Sequence, residues 1–200
     1  MTALRQISGR FWCFYVLILL VAALLCTWGW HLDRQVTHEG RLIENTKAAL
    51  LGLAAFYHLL RLAQLPNRQL IDVDVRVALA LLCVALMVRE VDIDRIGTSL
   101  WWAWAEDAIR VLVGLAVLGW YGYLLTKFKL LWQMKGRLIH TSVVLLSAIG
   151  CLWYIDAWPF DKMLVLDDAT FSALIEIILE LFATITLCLA AWSSDPVRID

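Results

Sequence analysis

Residues 170–192 read TFSALIEIILELFATITLCLAAW, and the reading of this stretch decides the fold. It contains no proline or glycine, and its only charged residues are Glu176 and Glu180. At 1.5 Å per residue such a run crosses the ~30 Å hydrocarbon core of a bilayer. Most of its polarity falls on one line. Ser172, Glu176, Glu180, Thr184 and Cys188 follow one another at i+4, so they form a polar seam on an otherwise apolar helix. An ionised carboxylate in the membrane costs about 3 kcal/mol on insertion scales. The seam must therefore face other helices, with its carboxylates paired, protonated or bound to a cation.

The rest of the chain repeats the same signal. Of its 200 residues, 62% are hydrophobic and only 18% charged, against about half and a quarter in a soluble domain. Mean hydropathy is +0.75. Six apolar runs predict transmembrane helices over 11–30, 48–65, 73–88, 108–126, 138–155 and 170–192. The expected fold is thus an all-α integral membrane protein, a six-helix bundle forming a single polytopic domain over 1–200. Leu65-Pro66-Asn67-Arg68 breaks the chain between the second and third runs, and Pro159 and Pro196 also fall outside the runs. Trp12, Trp28, Trp30, Trp153 and Trp192 stand at run ends, where indoles prefer the headgroup region. Trp101, Trp102 and Trp104 precede the fourth run and suggest an interfacial segment. The first run is longer than a signal-peptide core and no small-residue cleavage site follows it, so it reads as a permanent helix.

Orientation follows from the basic residues. With the N-terminus inside, the Lys127–Arg137 cluster, Arg5, Arg10, Arg61, Arg68 and Arg76 fall on the cytoplasmic side, and so do both termini. A bacterial inner membrane is the expected location. The net charge of −1 and the lack of a basic run give no reason to expect nucleic acid. Cys13, Cys26, Cys83, Cys151 and Cys188 lie singly within apolar runs and read as small core residues. His31, His38, His58 and His140 read as interfacial polar residues, too near the run ends for facing haem ligands.

The candidate chemistry centres on Glu176 and Glu180. Two carboxylates one turn apart suit a proton relay, a general acid and base, a cation site, or a hydrogen-bonded link between helices. A second group lies towards the outer surface: Arg89, Glu90 and Asp92 after the third run, Glu106, Asp107 and Arg110 opening the fourth, and Asp156 near the end of the fifth. Arg110 follows Glu106 at i+4 and is placed for a local ion pair, although its side chain is long enough to reach the sixth helix. These groups could form a rim above Glu176 and Glu180. Such all-oxygen ligands would favour Mg²⁺, Ca²⁺ or Mn²⁺ over zinc or copper, and no other cofactor is expected. Phosphate loops, nucleophile elbows and zinc spacings are all missing. The leading functional expectation is an accessory or assembly subunit, contacting the bilayer and a membrane partner or a second copy. The alternatives are a membrane enzyme acting on a lipid-linked substrate at Glu176/Glu180, and a proton or cation carrier.

Overall fold

A computed structural model describes residues 9–32, 42–64, 70–91, 100–127, 141–161 and 169–192. The described residues form six α-helices and no strand. They are α1 (Gly9–Leu32), α2 (Leu42–Gln64), α3 (Leu70–Glu90), α4 (Leu100–Thr126), α5 (Thr141–Asp161) and α6 (Ala169–Trp192). Three stretches, Phe11–His31, Leu100–Thr126 and Phe171–Trp192, are long and apolar enough to cross a membrane, and Leu146–Ala157 is a shorter apolar helix.

The observed helices overrun several of the expected limits. Trp101, Trp102 and Trp104 belong to the first turns of α4 instead of a separate interfacial segment. Residues 42–47, ahead of the second expected run at 48–65, are the first turns of α2. In α5 the helix continues through Pro159 to Asp161. Residues 138–140, which opened the fifth expected helix, lie outside the described residues, as do Leu65, Asp92, His38 and His140. In each overrun the apolar run marks what lipid tolerates, whereas the helix itself ends where its backbone hydrogen bonding ends.

The bundle is organised around α6, which packs against α1, α2 and α5; α2 also packs on α3, and α3 on α4. Small residues make these contacts close. Ala54 and Ala55 of α2, Cys83 of α3 and Ala191 of α6 form one buried cluster. Leu51 of α2 meets Tyr154 of α5 and Ala183 and Leu187 of α6 in another. Gly150 of α5 lies so close to α6 that an added Cβ would stand 2.8 Å from Cγ of Leu187. Without a hydrophobic driving force between helices in lipid, dispersion contact of this kind supplies much of the association energy.

Polar side chains fix the register. Tyr15, near the start of α1, and Thr186, near the end of α6, are hydrogen-bonded at 2.8 Å. Trp120 Nε1 of α4 donates to the Asp74 carbonyl of α3 at 2.9 Å, and Tyr121 Oη to the Ala78 carbonyl at 3.3 Å. Just beyond α4, Lys127 Nζ reaches Asp74 Oδ2 at 2.8 Å and lies 4.3 Å from the Tyr123 ring centre. Hydrogen bonding to Asp74 and Tyr123 holds the Lys127 ammonium above the usual lysine value.

Candidate functional site

Glu180 lies midway along α6, and its carboxylate is almost wholly enclosed. Two cations from two other helices meet it. Lys47 Nζ of α2 stands 2.5 Å from Glu180 Oε2, and Arg89 Nη2 at the end of α3 stands 2.7 Å from Glu180 Oε1. The same Lys47 ammonium is 2.5 Å from Glu90 Oε2. Lys47, Glu90 and Glu180 side chains are 3%, 5% and 6% exposed, while that of Arg89 is 51% exposed. Lys47 thus ties α2 to both α3 and α6, and Arg89 closes the network from the outside.

The surroundings extend the network towards α5. The Arg89 guanidinium lies 5.7 Å from the Tyr154 ring centre, within cation–π range. Tyr154 Oη and Thr184 Oγ1 are 3.2 Å apart, and Thr184 donates back to the Glu180 carbonyl at 2.9 Å. Glu176 feels the charge of Arg89 from one turn away. The four directly bonded groups, Lys47, Arg89, Glu90 and Glu180, carry two positive and two negative charges and balance. That balance is what makes burial tolerable: each ion taken from water costs several kcal/mol, and close opposite charges offset the cost only when each is hydrogen-bonded.

Of the residues singled out from sequence, Arg89 bonds Glu180 directly, Glu90 is joined to Glu180 through Lys47, and Glu176 lies within electrostatic reach of Arg89. Arg110 instead bonds its own helix, with Nη1 2.6 Å from Glu106 Oε1. Asp107 and Asp156 are exposed. Lys47 escaped the sequence reading. It stands directly before the 48–65 run, and that place was a usable signal. His58 also departs from expectation: it is 1% exposed, enclosed by the bundle instead of lying at an interface, and its Nδ1 has no hydrogen-bond partner. Among the described residues, no three His, Cys, Asp or Glu side chains stand together as a metal would require.

Beneath the network the bundle is filled. Leu51, Ala54, Cys83, Leu187 and Ala191 are all 2% exposed or less, and they separate Glu180 from His58 at the other end of α2. The arrangement can lock three helices together electrostatically, and it presents one half-exposed guanidinium at its edge. Compared with known proteins, the chain matches no family model, no curated protein and no solved structure.

Proposed function

We propose that this chain is an accessory or assembly subunit of a membrane complex, in which all six helices cross a bacterial inner membrane with both termini cytoplasmic, and α4 docks a partner. The observation that carries the reading is the bareness of α4. It has 27 residues and is apolar enough to span, yet only 6% of its most apolar window is buried. It packs on α3, while Leu112, Leu115 and Leu118 are exposed, and a Cβ added to Gly119 or Gly122 would touch nothing within 4 Å. Small residues on an open helix face admit another helix at close range.

The six-span reading draws support from the direction of the charges. α2 and α3 fall short of the hydropathy of a lone span because they carry Lys47, His58, Asp74, Arg76 and Glu90. All but Glu90 are buried residues, and the Glu90 side chain is 5% exposed. Charges enclosed by neighbouring helices do not meet lipid, so the bundle can cross as a unit. Exposed Trp28, Trp101 and Trp104 fall at one end of this topology and exposed Trp192 at the other, as two interfacial belts require.

The alternatives ask more of Glu180. As a general base or proton relay it would have to release Lys47 or Arg89, since one holds each oxygen. A carrier would need a path through the filled layer at Leu51 and Leu187. A divalent cation at Glu176 and Glu180 would have to displace the two side-chain cations.

Site-specific photo-crosslinking in native membranes tests the partner. A probe at Leu118 or Gly119 should give one discrete protein adduct, while a probe at Leu17 of α1, which is also exposed, gives lipid adducts alone. Lipid adducts from both positions would sink the accessory reading. Stabilisation of the purified protein by Mg²⁺, Ca²⁺ or Mn²⁺, lost in Glu176→Gln/Glu180→Gln, would bring the enzyme and carrier readings forward.

A further inference from the structure

The open side of α4 carries charge as well as apolar surface. Asp107 is exposed and has no ion-pair partner among the described residues. Arg110, three residues on, gives Nη1 to Glu106 instead, and its side chain stays 42% exposed. Exposed Trp104 precedes Asp107 by three residues and marks the headgroup level. At 1.5 Å per residue, Asp107 lies about 4.5 Å and Arg110 about 9 Å deeper. Lipid is a poor neighbour for either charge at that depth.

Inward from Asp107 the same side is apolar. Val111, Leu118 and Leu125 are 60%, 71% and 72% exposed, and a Cβ added to Gly114 or Gly122 would touch nothing within 4 Å. From Asp107 to Leu125 these residues follow at intervals of three and four, so they form one stripe along α4. α3 holds the helix from another side, through Trp120.

We infer, on the reading of α4 as a docking face, that its partner is a second copy of this chain, the two α4 helices packing along this stripe about a two-fold axis normal to the membrane. Copies inserted with one topology meet with α4 parallel to α4, so equal residues stand at equal depth. In such an isologous contact, if one residue meets a second on the mate, the second meets the first. Asp107 and Arg110 are opposite in sign and about one turn apart. Across the axis each Asp107 therefore faces the Arg110 of the other copy, and both pairs form together. A guanidinium presents five N–H donors, enough to serve Glu106 and a second carboxylate at once. A foreign helix would need a matching base and acid at these two depths; a second copy brings them. The bare glycines let the two backbones approach.

Charge exchange on full-length chains in native membranes tests the inference. Two differently tagged forms are expressed together, and photo-crosslinking from Leu118 reads their association. Wild-type forms should give an adduct that holds both tags, at twice the mass of one chain. Asp107→Arg leaves two cations on the face, and Arg110→Asp leaves two anions. Each variant alone should repel its own copy and lose the adduct by about tenfold or more. Expressed together, the two variants should recover a mixed adduct, because every acid again meets a base. A wild-type adduct with a different protein overturns the second copy and keeps α4 as a docking face. Lipid adducts alone overturn both readings. Variants that associate as wild type does, or a mixed pair no better than either alone, also overturn the inference, since the charges then do not meet across an axis. The wild-type adduct is read without any variant, so it decides the case even if a variant misfolds.

Discussion

Lys47→Met lowers the melting temperature of the detergent-solubilised protein by on the order of 10 °C at neutral pH. The substitution keeps a long unbranched side chain in the same space, so lost packing contributes little. What disappears is the ammonium that stands 2.5 Å from both Glu90 and Glu180. Removing one partner of a buried ion pair costs about 3–5 kcal/mol, because the remaining charge stays desolvated. Each kcal/mol is worth about 2–4 °C in a chain of this size. Arg89 still holds Glu180, so the loss falls mainly on Glu90. A second substitution, Glu90→Leu, should then recover much of the stability by removing the stranded charge. Differential scanning fluorimetry of the single and double variants measures both effects. A single variant that melts within about 2 °C of wild type would show that the network does not hold the three helices together.

The next largest effect is expected at a residue with no side chain. Gly150→Ala puts a methyl group 2.8 Å from Cγ and 3.0 Å from Cδ2 of Leu187, and 3.3 Å from the Ala183 carbonyl. Leu187 cannot swing aside, because it is 2% exposed and packed with Leu51, Tyr154 and Ala183. α5 must instead move off α6, which is its main neighbour. Overpacking of this kind costs about 1–3 kcal/mol, a fall of about 5 °C, and Gly150→Val should cost more. Gly119→Ala is the control: nothing lies within 4 Å of its new Cβ, and alanine favours the helix by up to about 1 kcal/mol. Equal losses at both glycines would mean that the α5–α6 approach is not the cause.

Much of the helical architecture was legible because lipid imposes a one-dimensional rule, namely a run of apolar residues of fixed length. The inward face of α6 was legible too, from the cost of Glu180 in lipid. Hydropathy failed where it says nothing about neighbours. Lys47 lies just outside the 48–65 apolar run; only the folded bundle shows its four-carbon stem carrying the ammonium inward to two carboxylates. The same blindness put His58 at an interface, since its position near the end of an apolar run does not reveal the helices around it. The tryptophans at 101–104 suit a helix end and an interfacial segment equally well, so the start of α4 was misplaced. Which helices touch is written in small residues such as Ala54, Ala191 and Gly150, whose pattern is not periodic enough to read without the partner helix.

The central place of α6 also bears on how the protein is made. It is the last of the six helices to leave the ribosome, yet α1, α2 and α5 all pack against it. Until it arrives, α1 has lost its main neighbour and Tyr15 lacks Thr186. Lys47 meanwhile has Glu90 alone, in a half-assembled group of five helices. Biogenesis of this chain must therefore hold α1 and α2 near the insertion site for most of translation, and truncation before residue 169 should leave a product that membrane quality control removes.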